Sequence, residues 1–549
     1  MREGAAVDRT RRRTRRLLAL AAVPPALEAA VIALLTFHSA RGLSPQVTAV
    51  WPYDSYHDMR WLLVYHNSWT TFLLGLLAIT LVRGMLSAGL TALAWPEHTP
   101  RPSFRWLARR NLEVAALAIV IISPWAALAV AYSALALSWY LLASLLPMLV
   151  LAPFLVRGGV VDRWWRGLPS LALFGWSLLN FVVLTVAGGL ASAVPLWWSV
   201  PVAAAAGMAN GLLWRRTVAA AVSPGRVRLA RLPVAPLAIV VIMASSVAAQ
   251  SLVGLTAGGP TDWRIPVLTE RLPDRVPHAV IALAGHDSNY DGRPAVDPRV
   301  QRFSYRGLDD QQRPLPYEPE DTHQSLGASA ALLATQIDAL HKRTGRPIAL
   351  LGESEGAMVA RTYLEKWPMS SVTAAVMFSP LGRPGRVYYP PPGYSGWGMV
   401  AGWELRVIAT LANTTKKVDS EPDEPFIRSV LADAPFYRNR TLCPVAGVRM
   451  IAFLPLVTAV EAPPGEFARI PTVQVPALHG FPVGQERVRR SVINFLAGEP
   501  VERPLREYQF IQWLGAAWQA PTLALTLNPV WSAGREADPA FTGDICEAR

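Results

Sequence analysis

The sequence contains few charged residues for its length. Only 17% of its 549 residues are Asp, Glu, Lys or Arg, whereas 52% are hydrophobic and the mean hydropathy is +0.26. This composition excludes a disordered chain and does not fit an ordinary water-soluble globular protein, so it favours a membrane protein. The length also exceeds what one hydrophobic core organises, and we expect at least two domains.

Cysteine is nearly absent. The chain has two, Cys443 and Cys546, and both lie in its second half. In an oxidising compartment they can form one disulfide that holds the C-terminal tail, and two separate thiols are the alternative.

The second half of the chain has no excess of positive charge, although the whole chain has a formal net charge of +13. Up to Ala257 there are 22 Lys and Arg residues against 8 Asp and Glu residues, and after it 30 against 31. A nucleic-acid-binding protein is expected to carry its basic surface on a soluble domain. We therefore expect no nucleic-acid partner, and a lipid bilayer instead; protein partners stay unknown.

Long apolar segments fill the first 257 residues. A helix needs about 20 apolar residues to cross a bilayer, and a segment that is too long for one crossing predicts a helical hairpin. The expected spans are residues 17–37, 70–95, a hairpin over 114–156 that turns near 132–139, and residues 168–193, 196–214 and 234–257. We predict an all-α membrane bundle of about seven helices over residues 1–257.

Arginine is concentrated in alternate loops of this bundle. The basic segments are the N-terminus and residues 101–110, 157–166 and 215–231. Such loops face the cytoplasm in most membrane proteins. With seven spans, the N-terminus is cytoplasmic and everything from residue 258 onward is extracytoplasmic.

Three ionisable residues lie within or at the ends of the spans: Glu28, Arg83 and Glu113. Such residues are costly in a bilayer and can mark a function. The structural alternative is that Arg83 extends its side chain to the membrane interface or pairs with Glu28, and that Glu113 lies at the end of a span. A polar, aromatic loop is expected over residues 51–58.

The second half alternates short apolar runs with amphipathic segments, which predicts an α/β domain with a mostly parallel sheet. A linker over residues 258–276 precedes this domain, which covers residues 277–498. The expected strands are residues 279–284, 347–351, 448–454 and 472–475, and the expected helices are 325–342, 358–367 and 486–496. Residues 499–549 form a tail, helical in part, that packs on the α/β domain or on the membrane interface.

A Gly-x-Ser-x-Gly motif, Gly352 to Gly356, lies between a predicted strand and a predicted helix. A nucleophilic serine projects from such a turn, and glycine is needed on both sides because a side chain would collide with the neighbouring elements. The alternative is a structural glycine-rich turn. Glu353 and Glu355 are expected to point outward or into hydrogen bonds, and a Glu355 facing the pocket would disfavour anionic substrates.

A serine nucleophile needs a general base, and His479 is the one histidine after Ser354. It follows the predicted strand 472–475, which places it in a loop at the end of a strand. The alternative is that His479 is a structural histidine.

The segment 277–497 resembles the α/β-hydrolase family, particularly its lipase, esterase and cutinase-like members. The resemblance implies that Ser354 is the nucleophile and His479 the general base. It also implies that the backbone N–H groups of Glu355 and His286 form the oxyanion hole.

The third member of the triad departs from the family pattern, because Thr458 stands near the position where an aspartate is expected. Glu461 is the nearest carboxylate, Asp433 is the reserve, and a serine–histidine dyad is the further alternative. A missing acid would reduce catalysis without abolishing it.

These features predict a membrane-anchored serine hydrolase that cleaves an ester of a lipid or cell-envelope acyl compound, without a cofactor or a metal. Acyl transfer would use the same residues. A rival hypothesis is a transporter or membrane scaffold that carries a degenerate hydrolase-like module. The acidic segment 309–321 is expected to be solvated, and residues 382–402 to form a cap over the site.

Overall fold

The computed structural model describes residues 2–132, 138–223, 233–241, 266–367, 370–380, 390–415, 423–432, 442–455, 469–475, 484–501, 509–521, 523 and 527. The N-terminal region of this described part is helical. Its named helices are α1 (Arg2–Leu34), α2 (Tyr53–Val64), α3 (Trp69–Ala94), α4 (Phe104–Tyr132), α5 (Ser138–Gly158), α6 (Leu171–Ala193) and α7 (Ser199–Val222).

Five helical segments in the described residues are long and apolar enough to cross a membrane. They are Thr10–Leu34, Trp69–Ala94, Phe104–Val130, Leu171–Ala193 and Leu196–Val222, and Leu145–Gly158 is a shorter apolar helix. The predicted hairpin corresponds to α4 and α5, which end and begin at Tyr132 and Ser138. Most of the predicted last span, residues 242–257, lies outside the described residues, so seven spans stay a prediction.

The segment expected to be a polar loop is instead the buried helix α2. Tyr53, Tyr56 and Arg60 on this helix are all fully buried. Arg60 stacks on the Tyr56 ring, with its guanidinium carbon 4.4 Å from the ring centre, and it donates to the carbonyl of Gln519 at 2.6 Å. The polar residues of α2 therefore find partners inside the bundle, which composition alone does not indicate.

A chain of four charged or titratable side chains joins α1, α2 and α3. Arg83 on α3 donates to both carboxylate oxygens of Asp58 on α2. Oδ1 of Asp58 lies 2.8 Å from Nδ1 of His57, and Nε2 of the same ring lies 2.9 Å from Oε1 of Glu28 on α1. The salt bridge of Arg83 is thus made with Asp58 rather than with the expected Glu28.

The C-terminal region contains a six-stranded, fully parallel sheet in the order β2-β1-β3-β4-β5-β6. Its strands are β1 (Ala279–Leu283), β2 (Val300–Arg302), β3 (Ile348–Glu353), β4 (Val372–Phe378), β5 (Arg449–Pro455) and β6 (Thr472–Val475). The named helices of this region are α8 (Pro266–Thr269), α9 (Leu326–Thr344), α10 (Glu355–Lys366), α11 (Met399–Thr415), α12 (Pro425–Ala432), α13 (Glu486–Ala497) and α14 (Gln509–Ala516).

The strand order creates a topological switch point between β1 and β3. From β1 the chain moves to β2 on one side, and it then returns to β3 on the other side. In open α/β sheets, ligands bind in the crevice at the carboxyl ends of the strands at such a point. The loops that follow β1 and β3 are therefore where a site is expected.

Helix α11 packs on the membrane-type bundle rather than on the sheet. Ser123 on α4 donates its hydroxyl to Oε1 of Glu404 at 2.5 Å. The backbone N–H of Val400 donates to Nε2 of His66 at 3.0 Å, and Met399, Val400 and Leu405 belong to the same hydrophobic core as α2 to α5. The segment that includes part of the predicted cap is thus anchored in the apolar bundle.

The basic ends of the helices and the α11 contact lie at opposite ends of the bundle. Arg13 near the start of α1 donates to backbone carbonyls at the end of α3, including Leu93 at 2.8 Å. Ser123 lies 18 residues beyond Arg105 on α4, which is about 27 Å at the helical rise. Which of these two ends faces the cytoplasm stays a prediction.

The described part of the C-terminal tail packs on the bundle. Trp518 stacks on Phe181 with ring centres 4.6 Å apart and donates from its indole nitrogen to Thr185 at 2.9 Å. Gly188 on α6 lets the tail approach, because a Cβ there would lie 2.5 Å from the Cβ of Ala517. The tail thus ties the end of the chain to α6.

Substitution of Asp58 by asparagine should destabilise the bundle. The change leaves Arg83, which is 4% exposed, without its counter-ion, and breaking a buried ion pair costs roughly 3 to 5 kcal/mol. Thermal unfolding of the purified protein in detergent should show a clearly lower Tm. Glu113→Gln is the control, because that carboxylate is 45% exposed and its Arg109 and Arg110 pairs contribute little. Equal Tm values for the two variants would contradict a stabilising role for the buried chain.

Candidate active site

Ser354 stands at a strained turn between β3 and α10. Its backbone has φ +51° and ψ −113°, a region that residues other than glycine rarely adopt and that is often found at functional sites. Its N–H donates to the carbonyl of Phe378 at 2.9 Å, at the end of β4. The turn therefore holds Ser354 at the carboxyl edge of the sheet.

Three glycines allow the close approach around Ser354. A Cβ on Gly352 would lie 2.5 Å from the carbonyl oxygen of Gly356, and one on Gly356 would lie 2.5 Å from the carbonyl oxygen of Leu283. A Cβ on Gly285 would lie 3.1 Å from the Cβ of Ser354. The ends of β1 and β3 thus meet around the serine only because these positions have no side chain.

Substitution of Gly356 by alanine should disrupt the turn, since the added methyl group would collide with backbone that cannot move aside. We expect a lower Tm and loss of any reactivity at Ser354. Gly327→Ala is the matched control, because Gly327 lies in α9 and an added Cβ there would meet only the end of the Lys366 side chain at 3.8 Å. It should be neutral or slightly stabilising. A fully stable, reactive Gly356→Ala protein would contradict the steric argument.

The loop after β1 brings His286 next to the serine turn. Nδ1 of His286 lies 3.0 Å from Oε2 of Glu355, which is fully buried at the start of α10. Nε2 of the same ring lies 3.3 Å from Oε2 of Glu424. The side chain of Glu355 is therefore engaged in a hydrogen bond, which is one of the two arrangements expected for it from the sequence.

His323 is the second imidazole of this cluster. Its ring stacks on that of His286, with centres 4.7 Å apart. Nδ1 lies 3.2 Å from Oε1 of Glu424, and Nε2 lies 2.7 Å from Oδ1 of Asp287. The N–H of Asp287 also donates to the hydroxyl of Thr322 at 3.0 Å. These bonds hold the 3-10 turn Pro319–His323 against the loop after β1.

Glu424 enters the cluster from the segment that begins α12. Phe426 on this helix stacks on the His286 ring, with centres 4.7 Å apart, and the hydroxyl of Ser429 accepts from the N–H of Leu326 at the start of α9 at 3.0 Å. The preceding residue, Asp423, accepts from Arg406 of α11 at 3.0 Å. Glu424 is therefore held between the α/β region and α11.

Burial and the neighbouring charges shift the pKa values of the histidines and carboxylates in this cluster. Burial lowers the pKa of His286, but hydrogen bonds with Glu355 and Glu424 outweigh it and raise that pKa to about 10. Burial opposes charge on His323 as well, yet its hydrogen bond with Asp287 raises its pKa. Burial raises the pKa of Glu355 to about 7, although His286 favours its charged form. Without a bound cation, these shifts favour a protonated His286 that offsets the negative charge of the nearby carboxylates.

Several predicted site residues lie outside the described residues, namely His479, Glu461, Asp433 and Cys546. Their roles stay predictions. Cys443 is buried and disulfide-bonded, and its predicted pairing with Cys546 stays a prediction. Ser354, Glu355, His286, Gly352 and Gly356 are described, and all five surround the switch point.

Sequence reasoning did not single out His323, Asp287 or Glu424. A signal existed for the first two, since a His-Asp pair follows β1 after two residues and His323 lies just beyond the acidic segment 309–321. Glu424 had no such signal, because only the packing of α12 brings it to the histidines.

No protein-family model matches the chain, and no curated protein matches it.

Proposed function

We propose that this protein is a membrane-anchored serine hydrolase that cleaves an ester of a lipid or cell-envelope acyl compound through an acyl-enzyme. The observation that carries the proposal is the strained turn of Ser354 at the switch point between β1 and β3. Other non-glycine residues also have positive φ, Ser379 at +49° among them, but Ser354 combines it with a Gly-x-Ser-x-Gly turn at the switch point. A turn of this kind lifts the hydroxyl of a nucleophile out of the sheet.

The surroundings of Ser354 suit the charge that develops during acyl transfer. Helix α10 begins at Glu355, so its N-terminus and the N–H of that residue are close to the serine. The loop of Gly285 and His286 approaches from β1 and can offer a second N–H. Such preorganised donors stabilise an oxyanion. In this mechanism His479 takes the proton of Ser354 and returns it to the leaving group.

A lipid or lipid-like substrate is supported by helix α11. One side of this helix packs on α2 and α4, while Trp403, Val407 and Leu411 are 45%, 57% and 56% exposed. These three residues are spaced four apart and form one apolar stripe. Because α11 is anchored in the membrane-type bundle, the stripe suits contact with acyl chains near the bilayer surface.

A fluorophosphonate probe tests the nucleophile. The full-length protein in detergent should be labelled on Ser354, and Ser354→Ala should abolish labelling and lower ester hydrolysis by at least about 1000-fold. Ser288→Ala is the control. Ser288 lies in the loop after β1, near Ser354 in the fold, but its hydroxyl is hydrogen-bonded to that of Tyr317 at 3.0 Å. This variant should still be labelled. A well-folded wild-type protein that resists the probe and shows no Ser354-dependent activity would refute the proposal.

Replacement of Trp403, Val407 and Leu411 by serine tests the lipid substrate. The triple variant should lose most activity toward a long-chain ester in vesicles and keep its activity toward a soluble short-chain ester. Val296→Ser is the control, because Val296 is also exposed but lies on the loop before β2. Equal losses on both esters would indicate a folding defect, and no loss on either would argue against the stripe as a lipid contact.

Hydrolysis and acyl transfer share the serine and the base, so they differ in the acceptor. Addition of a sugar or glycerol acceptor to the same assay separates them, because a transferase produces the new ester and a hydrolase produces the free acid.

A further inference from the structure

The cluster beside the serine has the composition and geometry of a metal site. We propose that His286, His323 and Glu424 bind a divalent transition-metal ion of the zinc class. The proposal does not depend on whether Ser354 is a nucleophile.

The three side chains converge on one point. One ligand atom from each lies within 4.8 Å of the other two. Nε2 of His286 and Nδ1 of His323 lie 3.3 and 3.2 Å from the two oxygens of Glu424. Tetrahedral zinc with bonds of 2.0 to 2.1 Å requires donor atoms about 3.3 Å apart. Each histidine nitrogen is close to that distance from one oxygen of Glu424, so small movements of these side chains would bring the three donors around one ion.

The hydrogen bonds made by the second nitrogen of each histidine ring also fit a metal site. Each ring uses one nitrogen toward Glu424 and the other toward a further carboxylate: Nδ1 of His286 toward Glu355, and Nε2 of His323 toward Asp287. Metal-bound histidines almost always donate their second N–H in this way, which fixes the tautomer and the orientation of the ring. His57 in the helical bundle also has a carboxylate beside each ring nitrogen, so this arrangement supports a metal site only together with the convergence of His286, His323 and Glu424.

Charge and burial add a further argument. Three carboxylates, Asp287, Glu355 and Glu424, surround two imidazoles, so a dication at the centre supplies the positive charge that they require. Among the described residues, Oε1 of Glu355 is buried and has no hydrogen-bond partner, which is costly for a carboxylate unless strong positive charge is nearby. The side chains of His286, His323 and Glu424 are 22%, 12% and 8% exposed, so the centre is sheltered but not sealed.

The ligand types select the metal. Two imidazoles and one carboxylate suit zinc and its neighbours in the first transition row, whereas calcium and magnesium prefer oxygen ligands alone. Three protein ligands leave the fourth tetrahedral position to water or to an oxygen of a substrate, as in catalytic rather than structural zinc sites.

Metal analysis of the full-length protein in detergent tests the proposal. After treatment with a chelator and dialysis, wild-type protein should bind about one Zn²⁺ per chain in a calorimetric titration, and Zn²⁺ should raise its Tm. His323→Gln and Glu424→Gln should each weaken binding by at least about 100-fold. Asp287→Asn removes only an outer partner and should weaken binding about 10- to 100-fold.

His341→Gln is the matched control. His341 lies at the end of α9, where its ring bonds to the carbonyl of Arg346, and this variant should bind Zn²⁺ as the wild type does. If wild-type protein binds no Zn²⁺, or if the ligand variants bind it equally well, the proposal is wrong. If a ligand variant fails to fold, the Asp287→Asn titration still decides between a metal site and a hydrogen-bonded cluster. Fluorophosphonate labelling of the same samples reports separately on the serine.

Discussion

The close approach of the ends of β1 and β3 to the start of α10 is the constraint on which the site depends. It exists because Gly285, Gly352 and Gly356 lack a Cβ where the neighbouring backbone leaves no room. The two strands connect to opposite sides of the sheet, so their loops open a crevice between them. Ser354 and His286 reach that crevice from different strands, and neither position can be kept if the glycines change.

The membrane-type bundle and the crevice are linked by contacts of α11 and of residues 423 and 424. Helix α11 packs on α4 through Glu404 and Ser123, and Arg406 on the same helix holds Asp423. The next residue, Glu424, contacts both histidines of the cluster. A displacement of α11 relative to the bundle would therefore move Glu424, so the packing of the apolar bundle helps to set the geometry of the histidine cluster.

The elements that follow from local pattern were predictable, and those that follow from packing were not. The strands over 279–284 and 472–475 coincide with β1 and β6, and the glycine motif predicted the turn between β3 and α10. Helix α2 was expected to be a loop, because its Tyr and Asp residues are typical of a solvent-exposed loop. They are buried because other helices of the bundle provide their partners. The pairing of Arg83 with Asp58 and the arrival of Glu424 beside two histidines depend on contacts distant in sequence, which a single chain does not encode as a local signal.

Glu355 connects the two chemistries proposed for the crevice. It follows Ser354 directly, begins α10, and bonds Nδ1 of His286 while it is itself fully buried. A buried carboxylate paired in this way does not face a substrate, so it gives no reason to expect discrimination against anions. It does make the two halves of the site interdependent, because the turn that sets the serine also sets the carboxylate that orients the histidine. Any change that shifts the start of α10 should therefore alter both the reactivity of the serine and the geometry of the histidine cluster.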